Sequence, residues 1–181
     1  MKQTLLCALF FITLSQGFAQ KYITKTGMLD FEGSVEAFEP VKATHSTTTA
    51  ILETSTGKIA VLGLVKGFRF RNALMEEHFN ENYMESDTYP KATFNGSIED
   101  FSITDSALKK EYKMQGDLTI HGKTKRIDAL VTIIKNGDDI DLETDFIVAP
   151  EDFDIEIPNL VKEKISENIR IAVRFHLVKR S

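Results

Sequence analysis

"GDLTIHGKTKRIDALVTI", residues 116–133, decides the reading of the fold. Leading into it, Tyr112, Met114, Leu118 and Ile120 alternate with Lys113, Gln115, Asp117 and Thr119. Beyond the link, Ile127, Ala129, Val131 and Ile133 share one face. A period of two marks half-buried β-strands. The connection "HGKT", residues 121–124, is so short that the two strands must be antiparallel neighbours. Gly122 supplies a positive φ there, which a residue with a Cβ resists. His121 shares a strand face with Thr119, opposite Leu118 and Ile120, and reads as a polar residue at the rim. Lys123, Lys125 and Arg126 form a basic cluster at the same end. Such a cluster can attract a phosphate head group. The simpler reading is an edge kept soluble by cations.

The same alternation runs through the rest of the chain. Ile169, Ile171, Val173, Phe175 and Leu177 oppose Arg170, Arg174 and His176. Ile140, Leu142, Thr144, Phe146 and Val148 oppose Asp141, Glu143 and Asp145. Weaker runs bring the total to about eight strands, near 22–33, 46–54, 58–70, 91–100, 110–121, 124–135, 139–148 and 167–179. "STG" at 55–57 and "NGDD" at 136–139 are turn signals. One segment differs: "NALMEEHFNENYME", residues 72–85, predicts a helix. Asn72 caps it, and Leu74, Met75, His78, Phe79 and Asn82 share one face. "DTYP" at 87–90 ends it, and "PNLVKEKI" at 158–165 predicts a second, shorter helical turn. Glycines within the strand-like runs, among them Gly96 and Gly116, read as bends.

Strands apolar on one face must hide that face, in a sandwich or a closed barrel, and closure also removes exposed edges. The outward residues are mostly charged, the reverse of an outer-membrane barrel. Eight strands enclose just enough room for one slender ligand, or for side chains alone.

Composition narrows the function. With 42% hydrophobic residues in a chain of 181, one domain can build a core. A net charge of −5 makes nucleic acid a poor partner. Residues 1–19 read as a secretory signal peptide: Lys2, the apolar "LLCALFFITL" at 5–14, then Gly17 and Ala19 at the small-residue cleavage positions. Cleavage near Ala19 leaves one domain, 20–181, in the periplasm or outside the cell. Lys2 is the leader's one charge, so 22 basic residues become 21 against 27 acidic, a net charge of −6. The single cysteine, Cys7, leaves with the leader, so disulfides and thiolate metal sites are excluded. No other stretch is apolar enough to span a membrane.

No catalytic constellation is visible. The four histidines, His45, His78, His121 and His176, lack metal-ligand spacing. No nucleophile elbow, phosphate-binding glycine loop or dinucleotide fingerprint occurs. The expectation is therefore a protein that is not an enzyme and has neither a metal nor a cofactor. His78 and Asn82, on the helix's apolar stripe, are candidate contacts for a ligand's polar head; the plainer reading is that they are satisfied by nearby backbone, as most buried polar groups are. The predicted lumen is Leu29, Phe31, Val61, Phe94, Tyr112, Leu118, Ile120, Val131, Ile133, Leu142, Phe146, Ile171, Val173 and Phe175.

Three segments taken together resemble the YceI-like family of secreted lipid-binding proteins: "MESDTYPKATFNGSIEDF" at 84–101, "GDLTIHGKTKRI" at 116–127 and "DFDIEIPNLVKEKISENIRIAVRFHL" at 152–177. The resemblance implies a lipocalin-like, all-β, eight-stranded antiparallel barrel with a helix beside it. It also implies an apolar or polyisoprenoid lipid as ligand, carriage or storage as the role, and a homodimer as a common assembly. The alternative is an envelope or stress-related interaction protein whose barrel is filled by its own side chains.

Overall fold

Hydrogen bonding closes the sheet on itself. The computed structural model describes residues 20–104 and 108–180; the leader expected at 1–19 lies outside the described residues. The strands are β1 (Lys21–Ser34), β2 (Lys42–Glu53), β3 (Lys58–Leu64), β4 (Arg69–Phe70), β5 (Lys91–Ile98), β6 (Lys109–Ile120), β7 (Lys123–Asn136), β8 (Asp139–Val148) and β9 (Ile165–Lys179). Around the barrel the order is β1, β2, β3, β5, β6, β7, β8, β9 and back to β1, with every neighbour antiparallel. Of the sandwich and the closed barrel that the alternation allows, the chain forms the barrel, lipocalin-like and eight-stranded as the family resemblance implies.

The hairpin of 116–133 pairs in unbroken register from Lys109 opposite Ile134 to Ile120 opposite Lys123. Its two-residue turn has positive φ at both positions, 49° at His121 and 73° at Gly122. That is the turn whose twist matches the strands it joins. In β1 a bulge at Gly27 changes which residues face in. Tyr22 and Thr24 are buried before it, and Leu29 and Phe31 point inward after it.

Several boundaries differ from the sequence reading. The run 58–70 is not one strand: β3 ends at Leu64, a 3-10 turn follows at Val65–Gly67, and β4 folds back to pair with the start of β2. β2 accordingly starts at Lys42 rather than 46. The turn at 158–165 shrinks to a 3-10 turn at Lys162–Lys164, and β9 takes over at Ile165. The bends expected at Gly96 and Gly116 have another cause. These two glycines pair across β5 and β6. A Cβ on Gly116 would lie 2.5 Å from Phe94 Cζ, and one on Gly96 at the same distance. The Phe94 ring lies across both, so the glycines make room for an aromatic side chain.

The helix is α1 (Ala73–His78), extended by a π-turn at Phe79–Tyr83. Asn72 caps it as expected, accepting from Leu74 N–H at 2.9 Å and Met75 N–H at 3.4 Å. The π-turn shows in the bond from Met84 N–H to the Phe79 carbonyl, 2.9 Å.

The barrel has two different ends. At one lie the helix segment 65–90, the connections 35–41 and 149–164, and the turn at 121–122. At the other lie the turns near 54–57 and 137–138. That second end is packed shut: Tyr22, Leu52, Ile98, Tyr112, Met114, Ile140 and Leu177 are all buried. The ring of Phe101 meets Tyr112 edge-on at 5.6 Å.

Candidate functional site: an apolar cavity at the helix end

Strands set the inner wall of the cavity, and connections close around it. A cavity of about 450 Å³ opens between the barrel mouth and the helix segment. Phe31, Ala92, Ile120, Val148, Ile169 and Ile171 come from the strands. Phe68 and Phe70 come from the 3-10 turn and β4 region, and Met75, His78, Phe79, Tyr83 and Met84 from the helix and its end. The 149–164 connection adds Pro150, Phe153, Ile155, Ile157 and Val161. Phe38, Glu39, Val41, Lys164 and Ile165 complete the wall. Its polar side chains are few: Glu39, His78, Tyr83 and Lys164. A mostly apolar hollow with a few polar groups is the usual form of a small-molecule site.

Four phenylalanines build one side. Phe79 stacks on Phe31 at 5.7 Å and meets Phe70 at 5.0 Å and Phe68 at 5.6 Å. Phe31 also meets Phe70 edge-on at 5.8 Å. Each such pair contributes about 0.5–1.5 kcal/mol beyond area burial. Glu76 fixes the segment that carries two of them. It accepts from Phe70 N–H at 3.0 Å and from Arg69 Nη1 at 3.1 Å.

Behind Phe68 stands His45, wholly buried at 0% exposure. Thr47 N–H donates to its Nδ1 at 3.3 Å, and Thr48 Oγ1 lies 2.9 Å from the same atom. Nδ1 is therefore the acceptor and Nε2 carries the proton. Nε2 lacks a hydrogen-bond partner of good geometry. Phe68 packs against the ring at 5.2 Å. Burial pushes the His45 pKa down, Leu64's carbonyl works against that, and Arg69 adds to it. The imidazole is thus kept neutral.

A second histidine latches the mouth. His121 Nδ1 lies 3.0 Å from the Phe153 carbonyl and Nε2 lies 2.9 Å from Glu85 Oε2. Tyr89 meets its ring edge-on at 4.4 Å. Its side chain is only 11% exposed. His121 thus stands at the rim as expected but is held there: the positive φ of the turn sets it between the helix end and the 149–164 connection. The basic cluster beside it is matched by acids. Lys123 pairs with Asp154 at 2.6 Å, Lys125 with Asp152 at 2.8 Å, and Arg126 with Asp117 at 3.6 Å while also donating to Gln115 Oε1 at 2.7 Å. The simpler of the two readings of those cations fits this pairing.

Of the fourteen residues assigned to the lumen from sequence, Phe31, Ile120 and Ile171 stand in the cavity wall. Phe94, Tyr112, Leu118, Val131, Ile133, Leu142, Val173 and Phe175 belong to the packed core. Leu29, Val61 and Phe146 are half-buried against that core. His78 lies on the wall and is exposed, at the mouth. Asn82 is exposed and stands off the wall. Its displacement follows from the π-turn. In an α-helix Asn82 would fall one turn below His78; the wider turn puts Tyr83 there instead. Burial pushes the Tyr83 pKa up, so its hydroxyl stays protonated and can donate.

Among the described residues no group of three or more His, Cys, Asp or Glu is placed to hold a metal ion. Among them, too, no helix is long and apolar enough to cross a membrane.

These features define a class: a lipocalin-like barrel, closed at one end and hollow at the other. The family follows from comparison. The YceI-like domain model matches residues 15–177, and the chain belongs to that family. No curated protein matches it. Among solved structures it is similar to a polyisoprenoid binding domain from Saccharophagus degradans implicated in plant cell wall breakdown, with a TM-score of 0.77 at 14% identity, covering 88% of this chain and 98% of that one. It is also similar to BcnA of Burkholderia cenocepacia, with a TM-score of 0.68 at 18% identity over 86% of this chain and 96% of that one. The YceI protein of Campylobacter jejuni matches with a TM-score of 0.63 at 18% identity, over 80% of this chain and 87% of that one. At these identities the likeness concerns the fold.

Proposed function

We propose that this chain is an exported binding protein, not an enzyme, which holds the tail of an apolar or isoprenoid lipid in the cavity for carriage or storage. The observation that carries this reading is the 450 Å³ hollow with its almost wholly apolar wall. Each methylene moved from water into such a wall contributes about 0.8 kcal/mol before ordering costs. A tail therefore binds without a strong polar contact. The S. degradans neighbour, described as a polyisoprenoid binding domain, supports the ligand class. In this reading Phe31, Ile120, Ile171, Phe68 and Phe79 touch the tail. His78, Tyr83 and Lys164 meet the head at the mouth, and the deeper residues named from sequence form the floor. Removal of residues 1–19 delivers the protein to the periplasm or beyond, where a homodimer is in keeping with the family resemblance.

The test is native mass spectrometry of freshly purified protein, followed by solvent extraction. A co-purified mass that extracts as an amphiphile supports the reading. Repeated absence after gentle purification from its own envelope, together with no uptake of added lipid, refutes it in favour of an interaction protein with no lipid.

A further inference from the structure

We infer that the cavity selects single-chain amphiphiles by length, accepting a buried tail of roughly fifteen to twenty carbons and gaining nothing from longer ones. This rests on the reading of the cavity as a lipid site and adds the limit that its floor imposes. The floor is visible along β9. Ile165, Ile169 and Ile171 face the cavity, whereas Val173, Phe175 and Leu177 are buried in packed core. The opposite wall divides at the same depth: Ile120 lines the hollow, and Leu118, one inward position deeper, is core. The hollow thus ends at the mouth of the barrel, with close-packed side chains below it.

Volume sets the length. The hollow, about 450 Å³, is roughly three times an apolar cavity of ~150 Å³ that holds one benzene. Packed equally well, it holds on the order of eighteen carbons. A longer chain must either leave its surplus in water or displace close-packed side chains. The first adds no affinity and the second costs it. While the tail still fits, each added methylene raises affinity by up to about fourfold. Beyond the limit the gain stops.

The experiment uses the full-length mature protein, stripped of bound lipid. A series of n-alkanoates of about eight to about twenty-four carbons, kept below micellar concentrations, displaces a fluorescent apolar naphthalene probe. The expected result is affinity that climbs steeply and then levels between about fourteen and about twenty carbons. A climb that continues through the longest chains overturns the length limit while leaving the lipid site standing. Displacement by no member of the series, although the probe binds, overturns the lipid reading and the limit with it. Two variants locate the cause. Leu118→Ala deepens the floor and moves the levelling point outward by about two or three carbons; Val173→Ala, a smaller truncation, moves it by about one or two. A levelling point that stays fixed in both folded variants refutes the packed floor as its origin.

Discussion

Substituting Gly67 by alanine tests whether the buried histidine holds the cavity wall. A Cβ at Gly67 would lie 2.2 Å from His45 Nε2 and 2.5 Å from Cδ2, well inside contact distance. The ring has nowhere to retreat, since it is fully buried, bonded at Nδ1 and faced by Phe68. Gly67 is not among the positive-φ glycines, so alanine meets no backbone obstacle there. If space were free, Gly67→Ala would stabilise the protein by about 0.4–1 kcal/mol through the unfolded chain. The contact predicts the opposite sign, a loss of about 1–3 kcal/mol from overpacking. Each kcal/mol corresponds to about 2–4 °C in Tm for a domain of this size. Urea unfolding of the wild type, Gly67→Ala, His45→Ala and the double variant completes the cycle. Removing the ring makes room for the new methyl, so the double variant should be less destabilised than the sum by about 1 kcal/mol or more. Stabilisation by Gly67→Ala alone, or strict additivity, would show that the two residues do not press on one another.

Acidification should weaken the fold through the same ring. The His45 pKa is lowered in the folded state, so the unfolded chain binds the extra proton first and stability falls as pH drops below about 6.5. Thermal melts of the wild type and His45→Gln at pH 7 and 5 check this, with a smaller acid loss expected in the variant. His176 works in the other direction. Its bond to Asp141, then the charges of Asp141 and Asp139, raise its pKa, so its contribution is fully present below about 6.5 and fades as pH rises through the folded value; the group is exposed and the effect is small. Asn72→Ala removes the cap of α1 and should cost about 1 kcal/mol by chemical denaturation. His121→Ala unfastens Glu85 from Phe153 and should speed amide exchange in 149–154 and 84–89 more than in the barrel strands; uniform exchange would refute the latch.

The barrel was legible because its strands announce themselves by period two, most clearly in β6, β7 and β9. The cavity was much less so. The alternation that identifies Leu118, Val131, Leu142 and Phe175 as inward cannot tell a floor from a hollow, since both need the same apolar side chains. More than half of the wall lies outside the eight barrel strands: Phe68, Phe70, Phe79, Phe153, Ile155 and Ile157 come from turns, the short β4, the helix segment and a connection, with no long alternation to reveal them. One signal was present, the density of phenylalanines from 68 to 79 in a segment too polar to be a core strand. An α-helical period puts Asn82 on the wall, but the π-turn adds about one residue per turn and brings Tyr83 there instead. The latch made by His121 is not legible because strand alternation gives it a face, whereas it sits in left-handed turn geometry beyond the last pair.

Ala92, on the wall at the start of β5, allows the central claim to be tested without touching the packed floor. Calorimetric titration of lipid-stripped protein with an alkanoate of about sixteen carbons should give one site per chain and a negative heat-capacity change, the mark of apolar burial. Ala92→Trp, whose indole takes up about half of the hollow, should weaken binding sharply and shrink the heat-capacity change while the barrel remains folded. Undiminished binding by that variant, or no binding by the wild type, would contradict the account.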